Sequence, residues 1–232
     1  MHAATGTRCP PPLSSAETKN FMSKSEEIHW YPMRVTYSRE MAAKQFLDLI
    51  GVDCFIPMKY VPIKGKHPRH RELKPAITSL IFIRASQQDI PFLKMTRREL
   101  SSIRYIMKPV LDDDNNVIRK DIMTVPDKEM DNFIRVASIN DDHVFYMENL
   151  NFAGKPGQRV RVVEGDFAGV EGTIKRIKKN KHVVVQIENV AAVAIAFLPS
   201  IVHIALMGDD GVTTHSEGED PTRHVVVTAL RA

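Results

Sequence analysis

Few side chains in this sequence are spaced for bond chemistry. His67 and His70 stand three apart, but no nearby cysteine or acidic cluster completes a metal-ligand set, and arginines surround them. They read as part of a solvated basic loop. Asp112-Asp113-Asp114 gathers three carboxylates, yet the run lacks the glycine and terminal glutamate of a calcium loop, so a plain turn is expected. No P-loop, G-x-G-x-x-G, G-x-S-x-G or H-E-x-x-H pattern is present. Cys54 falls in an apolar strand pattern and reads as a small core residue. Cys9 falls in a polar tail, so no structural disulfide is expected and a reducing, cytoplasmic compartment fits best. The chain is therefore read as non-enzymatic, with neither metal nor cofactor, and its chemistry as that of binding.

Charge is the first candidate for that binding. Residues 64–74 hold five Lys/Arg and one acid, together with glycine and proline. Lys175, Arg176, Lys178, Lys179 and Lys181 form a second run with no acid among them. Such runs are usually solvated faces. Both nevertheless fall on expected hairpin tips, from which cations reach phosphates and add salt-dependent affinity without sequence choice. A net charge of +4 permits a nucleic-acid partner without demanding one.

The elements that position these groups divide the chain in two. Its 232 residues, 43% hydrophobic and 26% charged, suit one large or two small soluble domains. No apolar run reaches the roughly 20 residues that span a bilayer. Residues 1–27 are read as a disordered tail, with Met22 a possible start, and 207–232 as a second such tail. Residues 29–37 open the folded part as a strand. A helix over 39–50 follows, capped by Ser38 and favoured by Glu40, with Ala42, Phe46, Leu49 and Ile50 as its apolar face and Gly51 as its stop. Residues 52–61 and 77–83 read as strands, the second packed on both faces. A helix starts at Asp89, with Phe92, Met95, Thr96 and Leu100 inward. Residues 103–107 form a strand, and 111–116 a turn. A last helix from Pro126 turns Met130, Phe133, Ile134 and Ala137 inward. The order β-α-β-β-α-β-α gives an α+β sandwich over 28–138.

Residues 139–156 form a linker, although Phe145, Tyr146 and Phe152 suggest that it packs on a domain. Residues 157–206 read as a small barrel of five short strands. Val160 and Val162 alternate with Arg159 and Arg161, Ile174 and Ile177 mark the second strand, and three consecutive valines the third. Gly165 and Gly172 fall where a tight barrel needs positive φ or close backbone approach.

The order Val160-Arg161-Val162, Gly165-Asp166-Phe167, Gly169 and Gly172-Thr173-Ile174 resembles the KOW motif of NusG-type elongation factors and some ribosomal proteins. Trp30-Tyr31-Pro32-Met33-Arg34-Val35 resembles the first strand of the NusG N-terminal domain, and Val125-Pro126-Asp127-Lys128-Glu129-Met130 the start of its last helix. The resemblance covers residues 28–206. Gly169-Val170-Glu171-Gly172 and Phe197-Leu198-Pro199-Ser200 look most like UpxY-type paralogues, which antiterminate capsular polysaccharide operons. The family's aromatic-Pro-Gly-Tyr segment is here Ile77-Thr78-Ser79-Leu80.

The resemblance implies a monomeric factor whose N-terminal α/β sandwich docks on the clamp coiled coil of RNA polymerase, followed by an SH3-like KOW barrel. It places the polymerase contact on an apolar edge at Ile77, Leu80 and Phe82, of which Phe82 also suits a core. It implies non-template DNA as a second partner, met by Tyr37, Arg39, Lys44, Arg69 and Arg71, with Tyr37 stacking on a base. It makes Phe167 a surface for a small-subunit ribosomal protein or Rho, against the alternative that Phe167 packs on the barrel. Some paralogues hold the second domain as a helical hairpin; the β-branched residues here favour a constitutive barrel. The rival reading is a ribosome- or RNA-binding KOW protein.

Overall fold

The computed structural model describes residues 27–65, 67, 69–139, 144–147, 157–177, 180–188, 190–196 and 204–207. Residues 1–26 and 208–232 of the expected tails, Phe152 and the segment 197–203 lie outside them.

The N-terminal part is built on a four-stranded sheet in the order β2-β5-β1-β6. Its strands are β1 (His29–Val35), β2 (Cys54–Phe55), β5 (Leu80–Ala85) and β6 (Ile103–Tyr105), all antiparallel to their neighbours. Because side chains alternate across a strand, β1 and β5 supply both faces of the layer. Tyr31, Met33, Val35, Ile81 and Ile83 share a buried cluster with Ala43 and Leu47 of helix α1 (Glu40–Leu49) and with Ile90 of α2 (Asp89–Thr96). Trp30, Leu80 and Phe82 face the other way, into a cluster with Met130, Phe133 and Val136 of α3 (Asp127–Ala137). The α+β sandwich expected from the sequence is present, with β5 packed on both faces.

Two hairpins leave this sheet. β3 (Met58–Pro62) pairs with β4 (Arg71–Pro75), so the expected strand 52–61 is broken at Pro57 and the basic segment begins beyond it. β7 (Met107–Leu111) pairs with β8 (Val117–Ile122), a strand that its mixed polar sequence had concealed. Between them Asp112 Oδ1 accepts from the backbone N–H groups of Asp114 and Asn116, at 3.1 and 2.7 Å. The aspartate run is a side-chain-stapled turn.

Three helix expectations shift. Leu49 is exposed and Ala42 is outward, because α1 buries Ala43 and Leu47, a stripe one residue round from the expected one. Ser38 has φ 50° and makes no side-chain cap, so α1 starts on Arg39. Met95 of α2 is 87% exposed; Ile90 takes the inward position. Gly51 does end α1, with φ 73°.

The barrel strands are β10 (Arg159–Val162), β11 (Glu171–Ile177), β12 (Asn180–Ile187), β13 (Ala191–Ala196) and β14 (Ile204–Leu206). The second domain is thus a β-structure, as its β-branched residues led one to expect. A sixth strand, β9 (Val144–Met147), comes from the linker and pairs with β13, so Phe145 and Tyr146 are packed there. Gly165 has φ 82°, and a Cβ on Gly172 would lie 2.7 Å from Val183 Cγ1 and 2.9 Å from the Val184 carbonyl oxygen. Both glycines meet the needs foreseen for them.

The cluster that holds Trp30, Leu80, Phe82 and Phe133 continues into Val160, Val162, Val183 and Val185 of the barrel. Phe133 is central to it. Its ring sits 5.6 Å from Phe82 and 6.4 Å, edge-on, from Phe55. Phe133→Ala should lower the unfolding free energy by about 3–5 kcal/mol, read as a drop in the urea midpoint. A loss under about 1 kcal/mol would show that the ring is not held as described.

Candidate functional site

The strongest surface feature is one end of the N-terminal sheet. The register sets Arg34 of β1 opposite Leu80 at the start of β5, and Val35 opposite Ile103 at the start of β6. The Val35 N–H donates to Ser79 O at 3.0 Å, and the Thr36 N–H to Ser102 O at 3.1 Å. At this end the chain makes a tight turn in which both Tyr37 and Ser38 have positive φ, 64° and 50°. Two consecutive non-glycine residues in that region carry backbone strain, on the order of 1–3 kcal/mol each. The turn leaves Tyr37 84% exposed, with the Arg39 guanidinium 5.9 Å from its ring centroid. An exposed ring with a cation beside it suits stacking on a base and contact with its phosphate.

Lys44 lies one turn further along α1 and is partly engaged, its ammonium 3.0 Å from Asp48. Arg69 and Arg71 sit on the basic hairpin, both exposed. That hairpin roots at the same end of the sheet, because β2 runs antiparallel to β5 and leaves it beside Leu80. Five residues of paired strand carry its tip roughly 15 Å out. Tyr37, Arg39, Arg69 and Arg71 are all exposed, and Lys44 shares its charge with Asp48.

Sequence reasoning missed two arginines here. Arg34 and Arg104 are directly opposite in the β1–β6 ladder, and both are exposed. Arg104 Nη1 donates to Ser101 O at 2.6 Å and Ile103 O at 2.8 Å. Like charges facing each other across a ladder are destabilising, and an anion between them relieves the cost. Only strand pairing reveals this, since the two are 70 positions apart in the chain. Glu40, read as the favourable acid of the helix's first turn, is in that turn and 4% exposed.

The apolar candidates behave differently. Ile77, Leu80 and Phe82 are 1%, 0% and 0% exposed. They do not form an open edge. β5 is an interior strand, and its Leu80–Phe82 face is covered by α3 within the cluster that runs into the barrel. Phe167 is partly buried against the same cluster. Its loop is fixed to the N-terminal domain by Arg135 Nη1, which donates to Ala168 O at 2.8 Å. In this arrangement Phe167 packs.

Between the two domains lies a cleft of about 480 Å³, walled by Lys128, Glu129, Asn132, Arg159, Glu171 and Gln186 among others. Glu171 is its anchor. Lys128 Nζ of α3 reaches Glu171 Oε2 at 2.8 Å, and Arg161 Nε reaches Oε1 at 3.2 Å. The Glu171 N–H donates to Asn132 Oδ1 at 3.2 Å. Burial acts to raise this carboxyl, but the hydrogen bonds and charges of Lys128 and Arg161 outweigh it and hold the pKa below the usual carboxylate value. Glu129 goes the other way: desolvation, then Glu188 across the cleft, push it up against the pull of Lys108. Among the described residues no group of three His, Cys, Asp or Glu could hold a metal ion.

These two shifts have opposite signs. A depressed carboxyl stabilises the packed arrangement above its unpacked pKa and loses that effect as pH falls through the packed one. A raised carboxyl costs stability when ionised and is relieved as pH falls through its packed value. Acidification from neutrality should first tighten domain packing, as Glu129, its pKa raised by desolvation and Glu188, takes up its proton ahead of an unperturbed carboxyl. Packing should then loosen below the ordinary carboxylate range as Glu171 does. Thermal melting against pH reads both limbs, and Glu171→Gln should remove the lower one. An acid limb unchanged by Glu171→Gln would contradict the arrangement.

Residues 28–134 match the family model described as transcription termination factor NusG, and residues 156–188 match the KOW motif. No curated protein matches the chain. Among solved structures, one described as domain interaction in Thermotoga maritima NusG is similar at 17% identity, with a TM-score of 0.34, covering 73% of this chain and 93% of that one. Another, of an MjSpt4:Spt5 complex, is similar at 12% identity with a TM-score of 0.22, covering 84% and 100%. The two matches place a NusG-type N-terminal domain ahead of a KOW domain in this chain.

Proposed function

We propose that this chain is a NusG-family transcription elongation factor of the antiterminating kind, which binds RNA polymerase through its N-terminal domain and keeps it elongating through one operon. The observation that carries the reading is the pairing of a NusG domain over 28–134 with a KOW motif over 156–188. A ribosomal KOW protein has no need of the first. The polymerase clamp coiled coil is the partner proposed for the N-terminal domain, non-template DNA for the Tyr37 end, and a small-subunit ribosomal protein or Rho for the barrel. The UpxY-like residues Gly169-Val170-Glu171-Gly172 favour a surface-polysaccharide operon as target. The factor would act in the cytoplasm as a monomer, by stabilising one state of a moving polymerase and making no bonds.

The structure constrains how the contacts form. Contact through Ile77, Leu80 and Phe82 requires the packed face above them to open first, whereas the Tyr37 end is open already. The nucleic-acid contact is therefore the one available to the packed chain. Arg34 and Arg104 extend the candidate surface of Tyr37, Arg39, Arg69 and Arg71.

Two experiments test the reading. Tagged full-length chain, passed through nuclease-treated bacterial lysate, should retain RNA polymerase. Ribosomal subunits without polymerase would move the assignment to an RNA-binding KOW protein. In a reconstituted elongation complex, the Arg34→Ala/Arg104→Ala pair should weaken crosslinking to the non-template strand about tenfold and flatten its salt dependence. Tyr37→Ala should weaken it with the salt slope unchanged, since stacking on a base is worth ~1–3 kcal/mol. Unaltered crosslinking in all three substitutions would remove DNA from this end of the sheet.

A further inference from the structure

The cleft between α3 and the barrel is lined by two kinds of polar side chain. Lys128 and Glu171 are committed to each other, with Arg161 sharing the same carboxylate. Around that anchor, four lining groups keep hydrogen-bonding capacity that no described residue uses. Asn132 accepts the Glu171 N–H on Oδ1 at 3.2 Å, so its NH2 is left to donate elsewhere. Gln186 accepts the Lys175 ammonium on Oε1 at 3.1 Å, and its NH2 is left likewise. Neither amide can turn round without losing the bond that holds it. Among the described residues Arg159 has no acceptor and Glu129 no hydrogen-bond donor. The upward push that desolvation and Glu188 give the Glu129 carboxyl fits a carboxylate to which nothing donates.

The four groups fall on two walls. Glu129 and Asn132 stand three apart on α3 and so share one helix face. On the barrel, Arg159 of β10 is opposite Thr173 of β11, and Thr173 is opposite Val184 of β12. Directly opposed strand residues share a face, as do residues two apart on one strand, so Gln186 joins Arg159 on that wall. Pro126 and Val184 add apolar surface, one to each wall. The cleft's volume of about 480 Å³ lies in the range of small-molecule sites.

We propose that this cleft binds a guanine nucleotide, its base read from α3 by Asn132 and Glu129 and its phosphate held from the barrel by Arg159 and Gln186. Guanine presents its O6 oxygen beside two donors, N1–H and the N2 amino group. The Asn132 NH2 donates to O6, and the Glu129 carboxylate accepts from both donors at once. Adenine offers that carboxylate only its N6 amino group. The guanidinium of Arg159 is a planar fork of donors that matches a phosphate, and the Gln186 NH2 adds one more. Because both amides are already pinned, little side-chain freedom is lost on binding. The site belongs to the packed chain itself and stands whether or not the N-terminal domain binds polymerase.

Calorimetric titration of the full chain with guanosine 5′-monophosphate (GMP), AMP, guanosine and inorganic phosphate tests this. GMP should bind saturably, about tenfold tighter than AMP or guanosine, each of which lacks a charge-assisted contact that GMP makes. Inorganic phosphate should bind more weakly than GMP. Glu129→Ala should abolish the preference for GMP over AMP, and Arg159→Ala the preference for GMP over guanosine. Both side chains are exposed, so neither change opens the core. Amide shifts caused by GMP should fall at 128–132, 171–173 and 184–186. No saturable GMP binding, equal affinity for GMP and AMP, or phosphate binding as tight as GMP would overturn the proposal. So would GMP binding that both substitutions leave unchanged, or shifts centred on Tyr37 and Arg39 at the other end of the N-terminal sheet.

Discussion

The structure depends on α3 being buried from two sides. A helix lying on an open sheet usually buries one stripe and turns the rest to water. α3 buries Met130, Phe133, Val136 and Ala137, against the Trp30–Phe82 face of the sheet and against β12 and β13 of the barrel. Apolar area removed from water on both sides contributes on the order of 25 cal/mol per Å². The charged groups around it then have to be satisfied where they stand. Glu171, with a side chain only 10% exposed, receives Lys128 from α3 and Arg161 from its own sheet. Removing either cation leaves a carboxylate short of a partner in a place where water is scarce.

The barrel has little freedom to rearrange while it remains in this position. Gly172 sits against Val183 and Val184 so closely that no side chain fits, which fixes how β11 crosses β12. The loop after β10 turns on Gly165 and Gly169, both with positive φ, and is held to the N-terminal domain through Arg135. Phe167, next to the bonded Ala168, is partly buried against the shared core. A residue whose neighbours suggest a partner surface thus serves as packing in this arrangement.

Much of this was legible in the chain, and the parts that were not share a cause. Strands with two apolar faces or strict alternation, such as 80–85 and 159–162, declare themselves because their burial repeats at the strand period. Glycines declared turns because they enter positive φ without steric cost. The stripe of α1 was displaced by one residue because Ala42, Phe46 and Ile50 and Ala43, Leu47 and Ile50 are both acceptable helical faces; the sheet beneath decides between them. The burial of Ile77, Leu80 and Phe82 was hidden for a related reason, since an apolar strand reads the same whether a helix or a partner covers it. Arg34 and Arg104 could not be seen together at all, because a cross-strand pair 70 residues apart has no trace in local pattern. β8 escaped because six mostly exposed residues in a projecting hairpin need no apolar period.

The two kinds of surface on the N-terminal domain act at different ranges. Arginines 34, 39, 69, 71 and 104 are exposed in the packed chain, and charge attracts a polyanion across a Debye length of ~10 Å before any contact is made. Leu80 and Phe82 act only in contact, and they are covered. Within the proposed function this sets an order. The charged end meets nucleic acid first, without opening the core. The apolar face becomes available only when something repays the burial lost on separating α3 from the barrel.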